Sequence, residues 1–284
     1  MLLRKNWLFD SELEELLRED LPQADATSIR LFREEDEGEA LLISRERGRV
    51  CCTEEAAELY SIVGCSAEAM VSSGREVEPG EVLLRAVGNA YSLHSAWRVA
   101  QVLVSYMSGI STYTAKLVEE ARRGNPTVIV AATRQSFPGM RKLSIKAVYA
   151  GGGEIHRQSL SDAILIFSNH LLLSGKDIEE AVKELKSRVG YKTIGIEISN
   201  LEEALRALSA GAMYVQFDRA DPMRLKEWVR EIRKSYPSAS IGVGGGITIE
   251  NAREYASSGV DVIVTSSMFR APPLDLTTKM RKTN

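Results

Sequence analysis

The sequence has few cysteines, no excess of basic residues and no long apolar run. Its 284 residues contain 3 cysteines, and because Cys51, Cys52 and Cys65 show no metal-ligand spacing, we interpret them as buried, unreactive thiols. The formal net charge of −3 gives no basic footprint for nucleic-acid binding. Apolar runs such as residues 163–167 are too short to cross a bilayer, and the first residues lack the apolar core of a signal peptide. These absences predict a cytoplasmic protein that binds neither nucleic acid nor membranes.

The first 107 residues mix short strands with helices. The hydrophobic fraction of 44% and the charged fraction of 26% are typical of a globular protein, and the length suits one large domain or two unequal ones. Apolar spacing predicts helices at 11–18 and 54–63 and strands at 40–44, 49–53 and 82–87. A longer helix is expected at 92–107, with Arg98 beside its apolar face. This pattern indicates a small α+β domain over residues 1–107.

From residue 108 onward, strands and helices alternate. Near-continuous apolar strands are predicted at 128–133, 163–168, 193–198, 213–218, 239–243 and 260–265. Amphipathic helices are predicted at 177–189, 200–210, 222–236 and 248–258. Because such strands are typical of a parallel sheet buried on both faces, we expect an α/β barrel over residues 108–284, with an open doubly wound sheet as the alternative. We leave open whether the C-terminal tail returns to the first domain.

Polar and glycine residues close the predicted strands, where α/β barrels place their active sites. The strand ends carry Thr133-Arg134-Gln135, Ser168-Asn169-His170, Glu197, Asp218-Arg219, Gly244-Gly245-Gly246 and Thr265-Ser266-Ser267. Glycine backbone N–H groups that precede a helix at Thr248 suit a phosphate group, and Ser266 on the next strand could add a hydroxyl. The alternative is a plain glycine-rich connection.

Two carboxylates follow neighbouring predicted strands. Glu197 and Asp218 would face one pocket, and paired carboxylates near a phosphate favour Mg²⁺, which prefers oxygen ligands and water. The alternative is a pair of salt bridges to the pocket arginines. A glycosidase-type pair is disfavoured because a phosphate-binding loop accompanies the carboxylates.

A triple glycine at 151–153 precedes His156 and Arg157. Glycines allow the backbone to approach a ligand closely, and the planar guanidinium of Arg157 suits a carboxylate or phosphate. Arg134, after another strand, adds a second guanidinium. His156 is a candidate general acid/base or a hydrogen-bond donor to a carboxylate. These residues predict an anion pocket, with a glycine turn and unrelated arginines as the alternative.

These motifs resemble the quinolinate phosphoribosyltransferase family, the carboxylating nicotinate-nucleotide pyrophosphorylases. Further matching segments, spread over nearly the whole chain, are Leu16-Leu17-Arg18-Glu19-Asp20, Val77-Glu78-Pro79-Gly80-Glu81, Ser108-Gly109-Ile110-Ser111-Thr112, Pro138-Gly139 and Gly259-Val260-Asp261. The resemblance implies an N-terminal α+β sandwich domain followed by an incomplete parallel α/β barrel. It also implies that the enzyme uses Mg²⁺ and phosphoribosyl pyrophosphate. In the family reaction a pyridine nitrogen attacks the anomeric carbon of the ribose and pyrophosphate leaves. A carboxyl group of the acceptor is then lost as CO₂.

The resemblance implies a role for each candidate residue. Glu197 and Asp218 would be the catalytic carboxylates and would hold Mg²⁺ and the ribose. The phosphate-binding residues would be Gly244, Gly245, Gly246 and Ser266. The acid substrate would contact Arg134, Gln135, His156, Arg157, Phe167 and an Arg98 supplied by the partner subunit of a homodimer or higher homo-oligomer.

Three residues depart from the family pattern. Gln135 and Phe167 stand where the family typically has lysines, and Trp97 replaces an acidic residue. Because charge-assisted hydrogen bonds contribute ~1.5–3 kcal/mol each, the missing lysines predict weaker binding of a dicarboxylate, while Phe167 adds stackable surface. The departures, with residues 94–103 and 145–148, resemble the molybdenum-transport-associated, pyrophosphorylase-like branch of the family.

We therefore expect a phosphoribosyltransferase-type enzyme that condenses phosphoribosyl pyrophosphate with quinolinate or a related carboxylated nitrogen heterocycle. One alternative is a non-catalytic or regulatory ligand-binding protein associated with molybdate or metal uptake. Another is a barrel enzyme that uses a different phosphorylated sugar.

Overall fold

The chain divides into two units, each formed from segments that are not contiguous in sequence. The computed structural model describes residues 3, 5–189 and 191–283. Unit 1 contains Met1–Ala115, Ser136–Gly152 and Met268–Asn284, and unit 2 contains Lys116–Gln135 and Gly153–Ser267. Residue 108, the expected start of the second domain, lies within one long helix, α4 (Ala90–Gly124).

An antiparallel sheet of four strands organises unit 1. The strands are Glu37–Ser44 (β1), Ser66–Ala69 (β3), Val82–Asn89 (β5) and Leu276–Lys282 (β13). They lie in the order β13-β1-β5-β3, so the C-terminal strand pairs with the first strand of the chain. Unit 1 also contains the paired strands Gly48–Arg49 (β2) and Glu76–Val77 (β4), and the helices Asp10–Asp20 (α1), Ser28–Leu31 (α2), Thr53–Ile62 (α3) and Arg141–Ala150 (α5). The predicted α+β character of this region is confirmed.

The cysteines of unit 1 are buried and free, as predicted, but the strand expected at 49–53 is wrong beyond Arg49. Cys52 has a φ of 67° and is the N-cap residue of α3. The backbone therefore turns into a helix at this point, because a left-handed conformation cannot continue a strand. The apolar run that suggested a strand is instead a buried connection.

Helix α4 is longer than the predicted helix at 92–107. Gly109 within it has a packing role, since a Cβ atom added there would overlap the carbonyl oxygen of Pro272. The helix continues past that glycine with the small, buried polar side chains of Ser111 and Thr114. Gly109 therefore marks a close approach of two backbone segments within unit 1.

Unit 2 contains a parallel sheet of seven strands. The strands are Ile129–Ala132 (β6), Glu154–Ile155 (β7), Ile164–Ile166 (β8), Ile194–Ile198 (β9), Tyr214–Asp218 (β10), Ser240–Gly244 (β11) and Val262–Thr265 (β12). Their order is β7-β6-β12-β11-β10-β9-β8. Each strand pairs with the next in this order. If the order is closed into a ring, a single gap remains among the described residues, between β7 and β8. The incomplete parallel barrel is confirmed, and the doubly wound alternative is wrong because the strand order does not reverse within the sheet.

Helices follow the strands of unit 2. They are Ser168–Ser174 (α6), Ile178–Val189 (α7), Leu201–Ala210 (α8), Pro222–Ser235 (α9) and Ile249–Ala256 (α10), with a short 3₁₀ helix at Ser267–Arg270. Helix α9 begins as predicted, since the Asp221 carboxylate accepts hydrogen bonds from the N–H groups of Met223 and Arg224 and Pro222 occupies the first turn. Over the part of the chain that the structure describes, no helix is both long and apolar enough to span a membrane.

Candidate active site

Strand register places two carboxylates on one face of the sheet in unit 2. Glu197 on β9 lies opposite Gln216 on β10, and Asp218 lies two residues further along β10. Register partners in a parallel sheet present their side chains to the same face, and side chains alternate along a strand. Phe217 points to the other face, where its ring stacks on Trp228 of α9 at 5.1 Å between centroids. Glu197, Gln216 and Asp218 thus share the face away from α9.

The predicted pair Glu197 and Asp218 is brought together. Glu197 is half-buried, and its pKa is raised by burial and then by the negative charge of Asp218, against a lowering effect of Gln216. Asp218 is exposed at the strand end. Between the described residues no salt bridge includes either carboxylate, so the alternative of salt bridges to the pocket arginines is not supported.

These carboxylates fit a magnesium ion by their chemistry. Oxygen is the ligand type that Mg²⁺ prefers, and the ion is usually held by one or two carboxylates with water and substrate phosphates. A divalent cation would also relieve the repulsion that raises the pKa of Glu197. Within residues 3, 5–189 and 191–283, no group of three or more His, Cys, Asp or Glu side chains is arranged to hold a metal, so the fit is to an ion that needs substrate oxygens as well.

The glycine loop follows β11 and leads into α10. Gly245 and Gly246 have φ values of 92° and 74°, which L side chains rarely adopt. The Asn251 side chain closes the loop, since it donates to the Gly246 carbonyl at 3.1 Å and accepts from Thr248 N–H at 2.8 Å. The loop therefore combines left-handed glycines with the helix N-terminus that was predicted to follow it, an arrangement that suits a phosphate group.

The strand next to the loop supports it through a hydroxyl. Thr265 Oγ1 donates to the carbonyl of Ile247 at 2.7 Å, and Ser267 N–H donates to Thr265 Oγ1 at 3.1 Å. Ser266, the predicted phosphate ligand, is half-buried between them. Thr265 had no predicted role of its own, although its place at the end of a predicted strand was a usable signal.

His156 and Arg157 lie just beyond β7. His156 N–H donates to the Ala132 carbonyl at 3.0 Å. Burial, and then the positive charge of Arg157, lowers the pKa of His156 to about 4, so the imidazole is neutral at pH 7. Arg157 is buried, and its pKa is lowered by burial and by Arg134. The structure thus brings together three of the residues predicted to bind the acid, with two guanidinium groups in one place.

Phe167 joins this group, and Gln135 is exposed directly after Arg134. The Arg157 guanidinium carbon is 5.2 Å from the centroid of the Phe167 ring, a cation–π distance. Phe167 also precedes α6, where its N–H donates to His170 Nδ1 at 2.9 Å. The strand predicted at 163–168 therefore ends at Ile166, and residues 168–170 begin a helix. Gln135 is exposed, and its backbone N–H donates to Thr133 Oγ1 at 3.2 Å.

Two predicted features lie in unit 1. Arg98 is exposed on α4, with its guanidinium carbon 3.8 Å from the centroid of the Trp97 ring. Gly151 is packed against α4, where an added Cβ atom would lie 2.6 Å from the carbonyl oxygen of Ser111. The first glycine of the triple glycine therefore allows a close approach to another segment of the chain.

Comparisons with known proteins agree with the geometry. Residues 25–108 match the model of the quinolinate phosphoribosyl transferase N-terminal domain, and residues 110–279 match that of the C-terminal domain. A Pasteurella multocida protein provisionally named pyrophosphorylase ModD is 34% identical over 269 residues, 94% of this chain and 95% of the relative.

An archaeal relative and a solved structure extend this similarity. A protein of Archaeoglobus fulgidus, provisionally named carboxylating nicotinate-nucleotide pyrophosphorylase, is 34% identical over 263 residues, 92% of this chain and 99% of the relative. The solved nicotinate-nucleotide pyrophosphorylase of Francisella tularensis is 26% identical and superposes with a TM-score of 0.87, covering 98% of this chain and 99% of that one.

Proposed function

Because the chain belongs to the quinolinate phosphoribosyl transferase family, we propose that it transfers the phosphoribosyl group of phosphoribosyl pyrophosphate to a nitrogen heterocycle. This acceptor carries fewer carboxylates than quinolinate. The predicted family and enzyme class are confirmed: the chain is a pentosyltransferase. The alternative of a non-catalytic protein associated with molybdate uptake is not favoured, since the chain retains the charged residues that this chemistry requires.

The contact between Arg157 and Phe167 carries the proposal about the acceptor. Each carboxylate of a bound acid needs donors, and Arg157, Arg134 and neutral His156 can supply them for one carboxylate. Where a lysine would supply a second point charge, Phe167 presents an aromatic face beside the guanidinium. An acceptor with a single carboxylate next to a flat ring would match this mixture of donors and stackable surface.

The other end of the proposed site serves the donor substrate. Backbone N–H groups at Gly245 and Gly246 and the hydroxyl of Ser266 would bind the 5′-phosphate. Glu197 and Asp218 would hold Mg²⁺ and the ribose hydroxyls, and their negative charge would stabilise positive charge that develops at the anomeric carbon. When bound, Mg²⁺ would neutralise charge on the departing pyrophosphate. Holding both substrates in one orientation would supply much of the rate enhancement.

We further propose a homodimer or higher oligomer in which Arg98 of one copy completes the acid-binding end of the site in the other. The exposure of Arg98 and its support by the Trp97 ring favour a role outside its own unit. The cytoplasmic location stays a prediction.

Release of pyrophosphate tests the proposed function. The protein would be incubated with phosphoribosyl pyrophosphate, Mg²⁺ and, in parallel, quinolinate, nicotinate and other mono- and dicarboxylated heterocycles. We expect a higher kcat/KM with a monocarboxylated acceptor than with quinolinate. Quinolinate as the best acceptor would overturn the proposed specificity, and failure to bind phosphoribosyl pyrophosphate in a calorimeter would overturn the proposed donor.

A further inference from the structure

Two polar side chains form a hydrogen-bonded line behind Glu197. Tyr214 Oη lies 3.1 Å from Gln216 Oε1, and Gln216 Nε2 lies 3.4 Å from Glu197 Oε2. Gln216 is 5% exposed, so its amide must find partners within the protein. The three residues share one face of the sheet, because Gln216 lies opposite Glu197 in the strand register and two positions after Tyr214.

The chemistry of the groups fixes the direction of this line. An ionised carboxylate can only accept hydrogen bonds, so Gln216 must turn its NH₂ group toward Glu197. Its amide oxygen then faces Tyr214, whose phenol hydroxyl must donate. The Glu197 carboxylate therefore selects one orientation of the Gln216 amide, and Tyr214, whose hydroxyl can donate or accept, holds the amide in that orientation by donating to its oxygen.

Glycines on the neighbouring strands make room for the line. A Cβ atom at Gly242 would overlap the Tyr214 hydroxyl, and one at Gly195 would lie 2.9 Å from Tyr214 Cδ1. A Cβ atom at Gly244 would lie 3.2 Å from Gln216 Nε2. Two strands, β9 and β11, thus have three glycines at the positions where Tyr214 and Gln216 need space, which is unexpected for strands whose only requirement is apolar packing.

Tyr214 also contacts the acid-binding end of the proposed site. Its ring lies 5.5 Å from the His156 ring, measured between centroids, at an angle of 50°. One side chain therefore supports His156 through its ring and Glu197 through its hydroxyl and Gln216.

We propose that Gln216 and Tyr214 are positioning residues that hold the Glu197 carboxylate in its working orientation, with Gln216 acting directly and Tyr214 acting through Gln216. This inference rests on the proposed function of Glu197 in binding the ribose and Mg²⁺. It assigns a role to two residues that do not themselves touch the substrate.

Two variants separate this role from simple packing. Gln216→Met keeps the length of the side chain but cannot donate to Glu197, and Tyr214→Phe keeps the ring against His156 but cannot donate a hydrogen bond to the Gln216 amide oxygen. In calorimetry with phosphoribosyl pyrophosphate and Mg²⁺, we expect Kd to rise roughly 10-fold for Gln216→Met, the loss of one hydrogen bond to a charged group. We expect a smaller rise for Tyr214→Phe. Binding of Mn²⁺ in the presence of phosphoribosyl pyrophosphate, followed by electron paramagnetic resonance, should weaken in parallel.

The double variant provides the decisive comparison. If Tyr214 acts through Gln216, adding Tyr214→Phe to Gln216→Met should not raise Kd further. Two independent packing defects would instead have additive effects on the free energy of binding. Tyr60→Phe, at a buried tyrosine of unit 1, is the control for loss of a hydroxyl and should leave Kd unchanged.

Unchanged Kd in both single variants, or additive effects in the double variant, would overturn the inference while leaving the proposed function intact. A wild-type protein that does not bind phosphoribosyl pyrophosphate would overturn the proposed function and this inference with it. If Gln216→Met does not fold, Tyr214→Phe alone decides, since a Kd equal to that of the wild type would contradict the role of Tyr214.

Discussion

The guanidinium of Arg157 lies over the ring of Phe167, with its carbon 5.2 Å from the ring centroid. Arg157 is 7% exposed, and the positive charge of Arg134 already lowers its pKa, after burial. A lysine in place of Phe167 would add a third cation to a crowded site, whereas the aromatic ring offers a π face that attracts the guanidinium. The ring therefore adds an attractive contact for Arg157 without adding a further positive charge beside Arg134.

Phe167→Lys should shift acceptor preference toward a dicarboxylate. The added ammonium can make a charge-assisted hydrogen bond to a second carboxylate. One such bond should raise kcat/KM for the dicarboxylate, relative to the monocarboxylate, by roughly 10-fold or more. The measurement is the ratio of kcat/KM for quinolinate to that for nicotinate. Leu173→Lys, at a side chain 87% exposed on α6, adds the same charge as a control. An unchanged ratio, or an equal shift in the control, would show that Phe167 does not set the preference.

Neutral His156 should make the free energy of unfolding depend on pH. Its pKa falls from 6.5 to about 4 on folding, so between these values the unfolded chain binds a proton that the folded chain does not. The free energy of unfolding should therefore fall as the pH drops from about 6.5 to 4, by about 3 kcal/mol at ~1.4 kcal/mol per pKa unit. Above pH 6.5 the imidazole is neutral in both states and contributes nothing to this dependence.

His156→Phe tests this dependence, because it keeps a ring against Tyr214 and removes the titrating group. Urea unfolding at several pH values should show a smaller loss of stability on the acid side than in the wild type. His170→Gln, which removes an exposed histidine, should retain the wild-type loss. Parallel curves for wild type and His156→Phe would contradict the lowered pKa.

Asp218→Asn should weaken the binding of phosphoribosyl pyrophosphate in the presence of Mg²⁺. The change replaces one of two candidate carboxylate ligands with a neutral amide and removes the negative charge that, after burial, raises the pKa of Glu197, so that pKa should move down toward its usual value. We expect Kd to rise at least roughly 10-fold, because a hydrogen-bonded or metal-bound charge contributes more than a neutral group. Calorimetry over a series of Mg²⁺ concentrations, and after removal with a chelator, measures the effect.

Glu227→Gln is the matched control for this charge change. Glu227 is an exposed residue of α9, and its substitution should leave Kd and its dependence on Mg²⁺ unaltered. Equal behaviour of Asp218→Asn and wild type across the Mg²⁺ series would remove Asp218 from the proposed metal site.

The strands and helices with strong periodicity were predictable from the sequence. Strands β9 to β12 and helices α7 to α10 have bounds close to the expected ones, because apolar strands alternate there with amphipathic helices. Strand β7 has only two residues, Glu154 and Ile155, and so carries no pattern. Helix α6 was missed because its N-terminal cap involves His170, a residue with no strong preference for such a position.

Candidate site residues at the ends of strands could be predicted from the sequence. Glu197 and Asp218 lie at the ends of their strands, so the rule that barrel sites lie at strand ends was enough to predict that they come close together. Tyr214 and Gln216 lie inside their strand, and the glycines that accommodate them belong to other strands. Only the strand register brings those residues together, and register between distant strands is set by the fold as a whole.

The two loop glycines should respond differently to alanine. Gly246 has a φ of 74° with open space around its Cα, whereas a Cβ atom at Gly245 would overlap Arg219 Cγ and lie 2.9 Å from Asp218 Oδ1. A left-handed alanine costs ~1–2 kcal/mol, so Gly246→Ala should lose about that much stability and Gly245→Ala more. Denaturant unfolding measures both losses.

Gly64→Ala is the control for the conformational cost alone. Gly64 in unit 1 has a φ of 92° and no atom near its added Cβ, so its stability loss should equal that of Gly246→Ala. Only Gly246→Ala should also weaken the binding of phosphoribosyl pyrophosphate, because it alters backbone N–H groups that are proposed to bind the 5′-phosphate. Equal affinities for the two variants would exclude that role for the loop.

Arg98→Ala and Arg157→Ala should each abolish activity, and mixing them should restore part of it. If Arg98 completes the site of the partner copy, a mixed dimer has one site with both arginines and one with neither. Random exchange makes about half of the dimers mixed, so roughly a quarter of the wild-type activity should return. The matched control mixes Arg157→Ala with Arg134→Ala. Each copy supplies both Arg134 and Arg157 to its own site, so a mixed dimer of these variants contains no intact site. Absence of recovery after verified subunit exchange, or equal recovery in the control, would contradict a shared site.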